Sequence, residues 1–241
     1  MESCTGKVVV VTGGSRGIGL AVARAFVERG ASVLITGTKE TPLAAAAHEL
    51  ESAARAGSVI GHLADVRAYE DVERMLETAA SRLGGIDVLV NNAGVGVFTP
   101  VSTMSVAQWH DVIETNLTGV FYCCRAALPH LRRRGGGWII NISSLSGTNP
   151  FAEGAAYCAS KAGLNAFSES LMQEVRHEGI RVAYVMPGSV NTGFTGRPPS
   201  GQDWKLAPED VAEVVTDLVA HPSRSLPSRV EIRPARPPKK G

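Results

Sequence analysis

Short runs of Val, Ile and Leu alternate along this chain with longer helical stretches. The runs are Lys7–Val11, Ser32–Thr36, Val59–Leu63, Asp87–Val90, Trp138–Ile142 and Arg181–Val185. They are nearly continuous in apolar residues, the pattern of strands buried on both faces. Between them the chain predicts helices over Ile18–Arg29, Thr41–Ala56, Ala68–Leu83, Val106–Arg134, Ala155–Glu178 and Pro208–Ala220. Strand and helix in alternation at this spacing read as βαβ units carrying a parallel sheet. A last strand, Arg229–Ile232, would join the sheet edge. The segments share no motif and no composition break divides them. The expectation is one doubly wound α/β domain over residues 1–241, with about seven parallel strands and helices on both faces.

Composition narrows the function. Hydrophobic residues make up 44% and charged residues 20%, which supports a substantial core and excludes a disordered chain. The net charge of +1 and an aromatic share of 5% argue against a dedicated nucleic-acid binder. The N-terminus does not read as a secretory signal, and no 18-residue apolar run suggests a membrane partner. Cys4, Cys123, Cys124 and Cys158 lack C-x-x-C spacing, so reduced thiols and a cytoplasmic location are expected. The histidines never stand at metal-ligand spacing, and no metal site is expected. Arg132–Arg134 would cap the carbonyls of the preceding helix. Residues 233–241 read as a flexible basic tail.

Chemistry enters at the first strand–helix junction. Thr12-Gly13-Gly14-Ser15-Arg16-Gly17-Ile18-Gly19 follows a strand and opens a helix. Glycines there permit a sharp turn and close approach of backbone to a pyrophosphate, while the helix N-terminus presents free N–H groups and a positive dipole end. Further motifs follow in order: Asn91-Asn92-Ala93-Gly94, Asn116, Ser144, Tyr157-Cys158-Ala159-Ser160-Lys161, and Pro187-Gly188 with Thr192. Over residues 5–195 the sequence thereby resembles the short-chain dehydrogenase/reductase family, with its T-G-x-x-x-G-x-G, N-N-A-G and Y-x-x-x-K motifs.

Tyr157 and Lys161 stand four residues apart, on one face of a helix. A free tyrosine titrates near pH ~10. Lowering that by about 3 units takes about 4 kcal/mol, which one ammonium at ~4 Å supplies at an effective dielectric near 20. Ser144 would hydrogen-bond the substrate oxygen while Tyr157 exchanges its proton. The resemblance implies that Lys161 also binds the nicotinamide ribose and that Asn116 holds a relay water. Taken singly, each of these residues has an ordinary structural reading as core, cap or surface.

The same resemblance implies a cofactor cradle of Gly13, Ser15, Arg16, Gly17, Ile18, Gly19, Thr38, Asp65, Val66, Asn92, Ala93, Gly94, Tyr157, Lys161, Pro187, Gly188, Val190 and Thr192. Two readings stand for Asp65: recognition of adenine, or the N-cap of the helix beginning near Tyr69. Gly37 occupies the place of the acidic residue that selects NAD, with Arg16, Thr38 and Lys39 as donors nearby. NADP(H) is the expected cofactor, with NAD(H) the other candidate through Glu40. Residues 191–207 would form a substrate lid hinged at Gly193, Gly196 and Gly201, or a plain surface loop. Phe98, Leu145, Phe151, Phe194 and Trp204 would line the substrate end, with Arg197 the one cation there.

The expected activity is hydride transfer between NADP(H) and a carbonyl or secondary alcohol of a small to medium, partly apolar substrate. The alternatives are a non-catalytic NAD(P)-binding sensor or scaffold and, within the enzyme class, a 3-oxoacyl carrier-protein reductase. The ending PSRVEIRPARPPKKG departs from the glycine-rich end usual in that last group. A homo-dimer or homo-tetramer is the assembly the resemblance implies.

Overall fold

The computed structural model describes residues 4–194 and 203–237. Among them, β1 (Val8–Val11), β2 (Ser32–Gly37), β3 (Val59–Leu63), β4 (Val88–Asn91), β5 (Gly137–Ile142), β6 (Ile180–Pro187) and β7 (Arg229–Ile232) form one sheet. The strands are parallel and lie in the order β3-β2-β1-β4-β5-β6-β7. From β1 the chain first builds outward through β2 and β3, then returns to place β4 on the other side of β1. That reversal opens a crevice at the C-terminal ends of β1 and β4, where ligands bind in sheets of this kind.

Side chains alternate across the pleat, and both faces are covered. Val9, Val11, Val33, Ile35, Val88, Val90 and Ile140 pack on one side with Phe26 and Val27 of α1 (Gly17–Glu28). Leu50 of α2 (Glu40–Ala53) and Leu218 of α7 (Pro208–Ala220) join them. Val10, Leu34, Leu89, Ile139 and Val182 face the other way. They meet Met75 and Leu76 of α3 (Tyr69–Leu83), Leu131 of α5 (Gly119–Arg133) and Leu164 of α6 (Ala155–Val175). This two-sided burial explains why the strands read as unbroken apolar runs.

Three helices differ from the sequence expectation. The stretch predicted as one helix over 106–134 is α4 (Val106–Ile113), a π turn at Glu114–Thr118, and α5. α2 stops at Ala53 because the chain beyond it presses on the start of β2: a Cβ at Gly57 would lie 1.9 Å from the Ala31 carbonyl oxygen. α6 tightens into a 3₁₀ turn at Arg176–Glu178 and ends at Gly179, whose φ of +73° suits glycine. Two arginines at the end of α5 pair with carboxylates rather than capping carbonyls: Arg132 with Glu178 and Arg134 with Asp87.

One polar network crosses the core beneath the crevice. Asn91 Nδ2 donates to Asn141 Oδ1 at 2.8 Å and to Cys124 Sγ. Asn141 Nδ2 donates to Ser168 Oγ, which donates to the Leu164 carbonyl. The network ties the ends of β4 and β5 to α6, so it sets the height of that helix on the sheet. Asn141→Ala would strip Asn91 of its best acceptor and leave a cavity, at a cost of about 2–3 kcal/mol. Calorimetry is expected to record a melting temperature lower by about 5 °C or more; a shift within 1 °C would show that the network carries no stability.

Candidate active site

The glycine-rich turn after β1 folds as close approach demands. Gly13 has φ +63°, and a Cβ there would lie 2.9 Å from Ala93 Cα. A Cβ on Gly19 would lie 2.3 Å from the Gly13 carbonyl oxygen. Thr12 Oγ1 accepts from the backbone N–H groups of Asn92 and Ala93, and Asn92 Nδ2 donates to the carbonyls of Thr12 and Gly13. The turns after β1 and β4 are therefore stapled together across the crevice. α1 opens at Gly17 with neither a capping side chain nor an acidic residue in its first turn. Its first N–H groups and positive dipole end consequently await an anion, and a dinucleotide pyrophosphate fits them.

Around this turn the cofactor candidates divide. Ser15, Gly17 and Ile18 stand at its surface, and a Cβ on Gly37 would lie 3.3 Å from Ser15 Oγ, so a side chain at 37 would face the cradle. Thr38 is exposed beside it. Arg16 is exposed, and its guanidinium donates to the Gly193 carbonyl at 3.3 Å, joining the turn to the segment after β6. Gly94 and Val95 run from β4 toward Asn116. Gly188 donates its N–H to Ile232, Val190 bridges Leu206, and Thr192 lies against Gly17, where a Cβ would find its Cγ2 at 3.4 Å.

Asp65 does not cap α3, whose N-cap is Ala68. Arg67 grips the Asp65 carboxylate with Nε and Nη2 and reaches Asp111 of α4 with Nη1. Hydrogen bonds from Arg67 hold the Asp65 carboxyl below its ordinary range. Val66 is buried against Gly119, where a Cβ would meet it at 2.9 Å. Sequence reasoning missed Arg67, because a surface arginine two residues from an aspartate has no distinguishing signature.

Tyr157, Ser144, Lys161 and Asn116 converge at the end of β5. Ser144 hydrogen-bonds the Tyr157 hydroxyl and accepts from Ser146 N–H. Ser143 turns away, donating to Asn165 Oδ1. Lys161 is buried, with its Nζ 2.9 Å from the Ile142 carbonyl and 5.8 Å from the centre of the Tyr157 ring. The expected depression of the tyrosine pKa is not seen. Burial raises Tyr157 above its ordinary value, with the Ser144 hydrogen bond opposing it, and burial lowers Lys161 to about 8. Each ionised form has lost solvent without gaining an opposite charge. Asn116 sits in the π turn, fully buried: its Nδ2 donates to Val95 O and Ser160 Oγ, and its Oδ1 accepts from Val95 N–H. Such a turn shifts the backbone hydrogen-bond register, which frees a main-chain carbonyl for water.

Of the substrate candidates, Phe98, Phe151 and Phe194 gather around Tyr157, while Leu145 stands beside Gly188. Trp204 is not brought to them. It lines a separate groove of about 610 Å³ with Asp210, Glu213, Ile232 and Arg233. Asn191 N–H donates to Leu206 O, and Leu206 N–H to Ser189 O, so the two ends of the 191–207 segment meet. Gly196, Arg197 and Gly201 lie outside the described residues, as does the tail beyond Pro237. Among the described residues no group of His, Cys, Asp or Glu could hold a metal, and no helix is long and apolar enough to cross a membrane. All four cysteines are buried, and none is in a disulfide.

The short chain dehydrogenase family model matches residues 7–202. An uncharacterized oxidoreductase of Staphylococcus epidermidis is 35% identical over 228 residues, covering 95% of this chain and 97% of that protein. An alcohol dehydrogenase of the archaeon Thermococcus sibiricus, complexed with 5-hydroxy-NADP, superposes with a TM-score of 0.90 at 31% identity, covering 97% of this chain and 99% of that one. A metagenomic short-chain oxidoreductase in complex with NADP gives a TM-score of 0.84 at 38% identity, with the same coverage.

Proposed function

The chain belongs to the short-chain dehydrogenase family, and from that premise we propose that it is an oxidoreductase interconverting a carbonyl and a secondary alcohol with NADP(H). One observation carries this reading. Tyr157, Ser144 and Lys161 meet beside an α1 N-terminus that no side chain caps.

The cofactor would lie along the glycine-rich turn, with its pyrophosphate at Gly17–Gly19 and its adenosine against Asp65, Val66 and Asn92–Gly94. Its nicotinamide would lie by Pro187, Gly188, Val190 and Thr192. Bound there, NADP(H) supplies or takes up the hydride. Tyr157 gives its proton to the carbonyl oxygen, which Ser144 also holds. Lys161 binds the ribose hydroxyls, and a water on the Asn116 turn restores the proton. A phenol is protonated at neutral pH, the form that donates to the carbonyl oxygen in reduction. A sensor or scaffold would have no use for this arrangement of acid and donor.

NADP(H) is favoured over NAD(H) because Gly37 puts no carboxylate beside the cradle and Arg16 stands at its rim with donors to spare. Two of the solved relatives carry NADP or its 5-hydroxy form. Charge-assisted bonds to a 2′-phosphate contribute about 1.5–3 kcal/mol each, tenfold or more in affinity. The whole chain works as one unit, with 191–207 as its lid, in a reducing cytoplasm that suits four buried cysteines outside any disulfide. Exposed Val106, Trp109 and Phe121 on α4 and α5 favour association into a homo-oligomer. The substrate is a small to medium carbonyl compound with an apolar portion, consistent with the phenylalanines around Tyr157.

Tyr157→Phe is expected to lower kcat by about 10²-fold or more while NADPH affinity, read by fluorescence, stays within about twofold; an active variant would remove Tyr157 from the proton path. The wild type should show a kcat/KM for NADPH above that for NADH by about tenfold or more, and Gly37→Asp should move the ratio toward NADH. A wild-type preference for NADH would place Arg16 out of reach of the 2′ position.

A further inference from the structure

Three of the six phenylalanines, Phe98, Phe151 and Phe194, are 38, 48 and 36% exposed and stand together at the mouth of the Tyr157 site. They come from separate segments, so local chain geometry does not gather them. Phe98 meets the Tyr157 ring edge-on, with centroids 5.6 Å apart at 70°. Phe194 meets it at 5.7 Å and 58°, and Phe151 stands 5.8 Å from Phe98. These are the separations and tilts that aromatic pairs prefer.

Two glycines make room for the rings. A Cβ on Gly96 would lie 2.7 Å from Phe194 and 2.9 Å from Phe98, and one on Gly154 would lie 2.7 Å from Phe151. The loops are also pinned. Thr99 N–H donates to Glu153 O at 2.9 Å, tying the Phe98 loop to the Phe151 loop, and Arg16 holds Gly193, next to Phe194. The mouth is thus a preorganised aromatic wall around the phenol, and preorganised walls bind flat groups without an ordering cost.

We infer that this mouth selects ketones and secondary alcohols whose reacting carbon bears a planar aryl group. The inference rests on the carbonyl chemistry proposed for Tyr157. An aryl ring on the carbon that faces Tyr157 reaches Phe98 and Phe194 as a further member of the cluster, edge or face to each. A saturated ring of the same carbon count is thicker and has no quadrupole to match. In the reduction, such a ketone gains a hydride from NADPH at carbon and the Tyr157 proton at oxygen. Its C=O π bond is replaced by a C–H and an O–H bond, NADP⁺ remains, and solvent returns the proton to Tyr157.

The test is a matched pair, acetophenone and cyclohexyl methyl ketone, assayed with NADPH on the full-length enzyme. Wild-type kcat/KM is expected to favour acetophenone by about tenfold. In Phe151→Leu and Phe194→Leu that ratio should fall toward one. A general loss of fold or turnover lowers both rates and leaves the ratio in place, so the ratio isolates the rings. A wild-type ratio of one or less, or variants that keep the wild-type ratio, would overturn the aryl preference and leave the reductase reading standing. Bound NADPH with turnover of neither ketone would overturn both.

Discussion

The site is organised around one costly feature, the ammonium of Lys161 buried at the end of β5 with a single carbonyl for company. Burial lowers its pKa from 10.5 to about 8, a penalty on the order of 3 kcal/mol at neutral pH. The sign follows from proton binding. Between about 8 and 10.5 the unfolded chain holds a proton that the folded chain has released, so this group makes the fold more stable as pH rises through that window. Below about 8 the whole penalty is present. Around the ammonium, Asn116 clamps Val95, a Cβ on Gly94 would lie 3.8 Å from Nζ, and the Asn91–Asn141–Ser168 network ties β4 and β5 to α6. In the proposed reading, ribose hydroxyls would supply the polar partners that it lacks.

The phosphate end obeys the same logic with opposite charge. α1 begins without a cap or an acid, and Thr12 locks the adjoining turns in place, so an anion finds its donors already aimed. Between the two ends stands Tyr157, flanked by aromatic rings. Cation, phenol and dipole line one crevice because the sheet reverses its order between β1 and β4.

Much of this was legible in the sequence. Strands buried on both faces write themselves as apolar runs, and the glycine-rich turn, Ser144, Tyr157 and Lys161 stand at spacings the backbone preserves. What was not legible depends on contacts between distant segments. The π turn at Asn116 breaks no rule of composition, since its residues would serve equally well in an α-helix. Arg67 and Arg16 looked like solvated charges until the fold placed Asp65, Asp111 and Gly193 beside them. Trp204 shared a loop with Phe194 but lines another groove, with Asp210, Glu213 and Ile232, which nothing in the spacing of that segment indicates. The depressed tyrosine pKa expected from an i, i+4 lysine is not found, because burial of the phenol, which spacing alone does not reveal, raises it.

The most direct test of a buried, poised lysine is a pH titration by NMR of the cofactor-free protein carrying ¹³C at the lysine ε carbon. The chain has only six lysines, at positions 7, 39, 161, 205, 239 and 240, so individual signals are resolvable. One signal is expected to titrate near pH 8 and to be missing in Lys161→Met. Six signals all titrating at about 10 or above would contradict the account, because Lys161 would then hold its charge without strain and would need no ligand to complete it.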